Sequence, residues 1–420
     1  MTPPLAPSVD DLHEAKASFV TELARRLHSY GTSAQRLEGA VVAVARRLGL
    51  ECEIWSNPTG MILSFADPVR GPAYGITRVV RLEPGDQNLG RLARADAIAE
   101  DVLAGRSSLA DGHAALLALD RPSSRRRQVL TALCFGLSSA SVAGLISGGW
   151  ANIATAAVLG WIIGALFMLG AGRPRLSEAL EAIAALVATL LAAAVASFVV
   201  ALSLKTVIIA ALIVLMPGLA LTTAVAELSS QHLVSGTARF AGAMMSLLKL
   251  TFGTVAAMQI VQVLGWQPQE DTVSAAQPLL QLGSLLVAAF AFAVLFQCSR
   301  RDYLLAMAAA VVGYGLVRLG TDVFGLSSAE FPGSVFFAGM GVAALSNAYG
   351  RWRNRPGALI RVPGIILLVP GSVGFRSLNF VMERDVLLGL DTAFLLISAL
   401  VALVAGLLFG NLLVPARRNL

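Results

Sequence analysis

From residue 128 onward the chain is a succession of long apolar stretches separated by short loops, and this constrains its fold more than any other feature. A helix needs ~20 mostly apolar residues to cross a bilayer. Ten stretches meet that need, at about 128–148, 150–170, 180–202, 205–224, 237–264, 277–297, 302–319, 332–349, 357–380 and 388–414. Backbone in lipid must satisfy its own hydrogen bonds, so these are expected to be helices. The charges agree. Residues 1–127 hold 31 of the 58 Lys, Arg, Asp and Glu, and the remaining 293 residues hold 27. The expectation is a multi-pass α-helical membrane protein preceded by a small α+β domain. Its parts are residues 1–127, a first membrane half at 128–264 and a second at 277–414, with five helices in each half. The first ~125 residues hold no apolar segment behind a basic start, so no signal peptide is expected.

Lys and Arg placement gives the orientation. Arg121, Arg125, Arg126, Arg127, Arg173, Arg175, Arg239, Arg300, Arg301, Arg351, Arg353, Arg355, Arg417 and Arg418 all fall on one side of a ten-span arrangement. Arg361 lies just inside the ninth span at that same end. On the other side Lys205, Arg318 and Arg384 are offset by acids. The positive-inside rule then puts both termini and residues 1–127 in the cytoplasm. It also accounts for the net charge of +6 without a nucleic-acid partner.

Two segments resemble one another. Ile213-Val214-Leu215-Met216-Pro217-Gly218 and Ile366-Leu367-Leu368-Val369-Pro370-Gly371 each place Pro-Gly about a dozen residues into a span, the fourth of its half. Five is odd, so the second half must run inverted: a 5+5 inverted repeat. Proline removes a backbone donor and glycine frees φ, so each pair breaks its helix near mid-membrane. Broken helices at matching positions of inverted halves point to a transporter's substrate site. A kink for packing is the plainer alternative.

The polar residues near the breaks are the candidates. Thr222, Thr223 and Ser372 flank them with hydroxyls suited to a small amino acid, or to satisfying broken-helix carbonyls. Lys249, in mid-span, would meet a substrate carboxylate or titrate with transport, unless it snorkels or is paired for structure. Arg376 would hold a carboxylate or cap a helix end. Glu227 and His232, after the first break, are the candidate proton carriers, or solvated residues if that loop is wet.

In residues 1–127, helices are expected at 11–29, 33–48, 87–104 and 108–118, and strands at 50–56, 60–65 and 76–82. Asn57-Pro58-Thr59-Gly60 is turn chemistry. His13, His28 and His113 form no recognised nucleophile, metal or phosphate motif, so no catalytic residue, metal ligand or cofactor is expected. Cys52, Cys134 and Cys298 are far apart and read as free thiols.

Three stretches then carry a resemblance. Gly31-Thr32-Ser33-Ala34-Gln35-Arg36-Leu37-Glu38, Arg47-Leu48-Gly49-Leu50 and Asn57-Pro58-Thr59-Gly60 resemble the soluble domain of the bacterial threonine/serine exporter family. Met216-Pro217-Gly218 through Ser235-Gly236 resembles the end of its first membrane half. Val369-Pro370-Gly371-Ser372 with Arg376-Ser377-Leu378 resembles its second. The resemblance implies export of threonine and serine across the bacterial inner membrane, driven by protons. Where the family carries an acidic or amide residue soon after the first Pro-Gly, this chain reads Leu219-Ala220-Leu221-Thr222-Thr223 and brings its acid at Glu227. Related split proteins imply a dicarboxylate exporter as the alternative. An alternative of another class is a membrane-anchored hydrolase with a catalytic N-terminal domain. The sequence leaves the oligomeric state open, a homo-oligomer included.

Overall fold

The computed structural model describes residues 9–67, 71–120, 124–170, 172–271, 277–326 and 332–416. Arg121, Arg417 and Arg418 of the expected basic side lie outside them.

The N-terminal unit begins with α1 (Val9–Ser29) and α2 (Ala34–Arg47). Three strands follow, β1 (Glu51–Asn57), β2 (Gly60–Asp67) and β3 (Gly71–Arg81), then α3 (Leu89–Leu103) and α4 (Leu109–Ala118). The strands form one antiparallel sheet in the order β1-β2-β3. Asn57 closes the β1–β2 turn: its side-chain oxygen accepts from the N–H and the hydroxyl of Thr59 at 3.0 and 2.9 Å. Alternation along β2 decides the buried face. Met61, Leu63 and Phe65 point into the core with Phe19, Leu23 and Leu27 of α1, while Ile62 points out. Gly31 turns the chain between α1 and α2 at φ +80°, a left-handed conformation that favours glycine. β3 begins five residues before the expected 76; the other six elements of the unit match their expected bounds within about two residues.

Twelve α-helices follow among the described residues. They are α5 (Arg125–Ile146), α6 (Trp150–Gly170), α7 (Pro174–Phe198), α8 (Leu204–Leu212), α9 (Gly218–Ser229) and α10 (Leu233–Val263). The series continues with α11 (Pro278–Leu295), α12 (Tyr303–Asp322), α13 (Gly333–Arg353), α14 (Ala358–Ile365), α15 (Gly371–Met382) and α16 (Val386–Leu413). Among the described residues seven helices are long and apolar enough to cross a membrane: α5, α6, α7, α10, α11, α12 with the turn before it, and α16. The chain is a multi-pass helical membrane protein. The other three expected segments differ for identifiable reasons. The fourth and ninth are each split in two, α8/α9 and α14/α15. The eighth, α13, is 21 residues long, but its glycines, Ser346 and Asn347 leave it less apolar.

The N-terminal unit is packed onto the helices rather than tethered beside them. Its buried core continues without interruption into Ala288, Phe292 and Phe296 of the α11 segment and Leu359 of α14.

Candidate functional site

The two Pro-Gly breaks have the same geometry. Pro217 sits at φ −80°, ψ 41° and Pro370 at φ −84°, ψ 41°. Each is the centre of an inverse γ-turn. The Gly218 N–H donates to the Met216 carbonyl at 2.8 Å, and the Gly371 N–H to the Val369 carbonyl at 3.0 Å. The turn before each break tightens in the same way, with Leu215 N–H donating to Leu212 at 2.9 Å and Leu368 N–H to Ile365 at 2.8 Å. Proline has no N–H to continue either helix, so the break is written locally.

The two breaks also touch. A Cβ placed on Gly218 would lie 3.1 Å from the Cα of Gly371, and one on Gly371 would lie 3.0 Å from the Cα of Gly218. Only glycine at both positions lets the backbones approach so closely. Neither α9 nor α15 has a side-chain N-cap. Two helix N-termini, with first-turn N–H groups lacking an intrahelical acceptor, therefore meet at one place.

Cavities flank this contact. One of about 310 Å³ is bordered by Met216, Pro217, Gly218, Gly371 and Ser372, walled by Phe135, Phe167, Phe292 and Phe296, and closed by Asp86, Gln87 and Gln297. Asp86 keeps exposed surface, yet desolvation by the protein around it raises its carboxyl above the usual value. A second cavity, of about 300 Å³, lies across α9. Thr222, Thr223, Arg361 and Asn411 line it from the helices, and Thr32, Arg36 and Gln87 from the N-terminal unit. Gln87 and Leu219 border both cavities.

The expected site residues separate into three groups. Pro217, Gly218, Gly371 and Ser372 border the first cavity, with Pro370 buried behind them; Thr222 and Thr223 line the second. The Thr222 hydroxyl donates to the Gly218 carbonyl at 3.1 Å, so it helps to satisfy the break. Lys249 and Arg376 line neither cavity. Lys249 donates to the Glu178 carbonyl at 2.7 Å and faces Glu181 at 3.6 Å, on the side of α10 that packs on α7. Arg376 is exposed on α15.

Glu227 and His232 form the third group, at the junction with the N-terminal unit. Glu227 is 1% exposed. Its carboxylate accepts from the Ala34 N–H at 2.9 Å, the Ser235 hydroxyl at 2.8 Å, and Arg239 at 3.2 and 3.3 Å. It thus caps α2 from another part of the chain, in place of Ser33, whose side chain makes no capping bond. His232 Nε2 lies 3.1 Å from Glu38, which also accepts from the N–H and hydroxyl of Ser56 at 2.8 and 2.9 Å. The other ring nitrogen lies 2.9 Å from the Ser230 carbonyl, so both nitrogens face acceptors.

A second attachment joins α3 to the end of α11. Leu89 and Gly90 N–H donate to the carbonyls of Phe296 and Gln297 at 3.0 and 3.1 Å, and the Asn88 amide to Gln297 Oε1 at 2.7 Å. Arg127 adds a bond to the Gln297 carbonyl at 2.6 Å. Several arginines that read as topology signals thus have specific partners; Arg355 forks onto the buried Asp302 carboxylate at 2.6 and 2.9 Å. Arg36, Asp86 and Glu38 were missed as site residues. Gly31 to Glu38 does carry family-like sequence, which was the available signal for two of them.

Comparison with known proteins supplies the context. The family described as "Putative threonine/serine exporter" matches residues 18–261, and that described as "Threonine/Serine exporter, ThrE" matches residues 281–413. An uncharacterized protein of Schizosaccharomyces pombe is 23% identical over 398 residues, 91% of this chain and 45% of the relative. "Pheromone-regulated membrane protein 10" of Zygosaccharomyces rouxii is 25% identical over 370 residues, 86% of this chain and 37% of the relative. The protein of the same description from Eremothecium gossypii is 23% identical over 363 residues, 86% of this chain and 48% of the relative. The chain therefore spans less than half the length of these relatives. No solved structure matches it significantly.

Proposed function

The chain belongs to the threonine/serine exporter family, and from that premise we propose that it is a secondary transporter moving threonine or serine out of the cell in exchange for protons. The observation that carries this is the contact between the two Pro-Gly breaks beside a cavity. Two broken helices of matching geometry, one from each half of the chain, present free N–H groups at one point. That arrangement suits a small zwitterion, with carboxylate toward the helix N-termini and ammonium toward freed carbonyls. Counting each broken pair as one crossing restores ten spans in two inverted halves of five. One half rocking on the other would then expose the site to each side in turn. Glu227 and His232 are the proposed proton carriers, since a change of charge at either alters the junction beside the first break. The proposed setting is a bacterial inner membrane with residues 1–127 and both termini in the cytoplasm. The reading makes the N-terminal unit a gate or assembly module rather than a hydrolase.

A dicarboxylate cargo is the second reading. One observation favours it: Arg36 and Arg361 line the second cavity, and none of its lining residues is acidic. Efflux from proteoliposomes holding the purified chain and labelled threonine, serine or succinate decides between the two. Gradient-dependent movement of threonine or serine is expected. Movement of succinate alone replaces the cargo, and movement of none removes the exporter reading.

A further inference from the structure

We propose that the cavity enclosed by α2, α9, α14 and α16 is a carboxylate-binding site in which Arg36 and Arg361 hold the acid group of the cargo before it passes to its seat at the two breaks, so that the N-terminal unit is part of the transport path. This rests on the exporter reading above.

Arg36 enters the cavity from the first turn of α2. A cation is disfavoured at a helix N-terminus, that turn has no acidic residue of its own, and the Glu227 carboxylate that caps it is already engaged by Arg239. Among the described residues the Arg36 guanidinium has no hydrogen-bond or ion-pair partner, its backbone N–H alone donating to the Ser33 carbonyl at 3.1 Å. Desolvation lowers its guanidinium to about 10, the direction expected of an enclosed cation that nothing neutralises. Arg361 enters the same cavity from α14. One of its nitrogens donates to the Asn347 amide oxygen at 3.0 Å, and its Nε is buried without a partner.

Other arginines drawn into this protein are matched by acids: Arg26 by Glu22 and Asp120, Arg239 by Glu227, and Arg355 by Asp302. Enclosed arginine is rarely left unpaired, because its desolvation needs an opposing charge. Two forks of N–H donors lining one cavity suit a planar, bidentate acceptor. The volume of about 300 Å³ is that of a small-molecule site. The Thr223 side and Leu219 place the site directly against the first break.

The test is equilibrium binding of labelled threonine, serine and succinate to the purified full chain in detergent, which needs no transport. L-threoninol, which keeps the ammonium and hydroxyl but lacks the carboxylate, and inorganic phosphate serve as competitors. Binding displaced by threonine but not by threoninol is expected. R36Q and R361Q should each weaken it about tenfold or more, with R36K between and the exposed R94Q as wild type. Phenylglyoxal labelling of the wild type gives a readout independent of variant folding: bound cargo should slow modification of Arg36, and threoninol should not. Succinate binding alone, lost in R36Q, upholds this site and overturns the amino-acid cargo. Threonine binding that is unchanged in folded R36Q and R361Q overturns the site and leaves the exporter reading standing. Displacement by phosphate but not by carboxylates, or absence of binding by all three labels, also overturns the site.

Discussion

Truncating Glu227 to alanine removes four hydrogen bonds at once and strands the three groups that made them. The Arg239 guanidinium, 20% exposed, loses its carboxylate, and the Ala34 N–H and the Ser235 hydroxyl lose their acceptor. Removing one partner of a buried ion pair costs about 3–5 kcal/mol. Water reaching Arg239 returns part of that, so we take the lower end, about 3 kcal/mol, for the pair and the lost cap together. The loss is local to the docking of α2, so local opening is the quantity to measure. At about 1.4 kcal/mol per decade, amide exchange in peptides spanning residues 33–40 should accelerate about 100-fold in Glu227→Ala. Hydrogen exchange read by mass spectrometry on protein in nanodiscs measures this directly. The double variant Glu227→Ala/Arg239→Ala carries no orphaned charge and should recover about tenfold of the loss. Exchange within about threefold of wild type in the single variant would refute the reasoning, as would purely additive behaviour of the double.

Three further outcomes are expected. Gly218→Ala and Gly371→Ala should each abolish efflux, because the added methyl falls on the partner glycine's backbone at 3.1 or 3.0 Å; the double variant should be no worse than either single, since both disrupt one contact. His28 is held below its usual value by desolvation, so the folded state resists the proton that the unfolded chain accepts below pH ~6.5. Stability should therefore fall as pH drops through that value, by up to about 1.4 kcal/mol per unit, and thermal midpoints of His28→Gln between pH 7.5 and 5 should show a shallower fall. Asp302→Asn takes the carboxylate from Arg355, whose side chain is 38% exposed so that water offsets part of the loss, and should cost about 2 kcal/mol, measured as a lowered thermal midpoint with Arg355→Met partly restoring it.

Local signals carried most of the fold. Helix and strand periods set α1 to α4 and β1 to β3, and the two Pro-Gly pairs located both breaks, because each depends on neighbours in sequence. What sequence did not carry was contact between distant parts. Lys249 read as a mid-membrane ion; depth follows from the length of α10, but the face it occupies follows from packing on α7, where Glu181 awaits it. Glu227 read as a carrier, with no sign that α2 lay across it. Arg36 stood out only as part of the family-like stretch Gly31 to Glu38, since no local pattern shows which residues a cavity encloses. Arg361 read as lying just inside the ninth span beside the inside-facing cations, with no sign that it lines a cavity.

Besides the shared apolar core, the N-terminal unit is hydrogen-bonded to the membrane helices at two junctions that belong to different halves of the chain. α2 is held by Glu227 of α9, and α3 by the carbonyls that end α11. Hydrogen bonds tolerate only ~0.5 Å of stretch before they weaken. If the halves swing during transport, most displacements would separate Glu227 from Phe296 and tear one attachment. Rotation about the line through Ala34 and Leu89 lengthens neither. On the transporter reading proposed above, the unit then works as an axle that favours one direction of travel over the others.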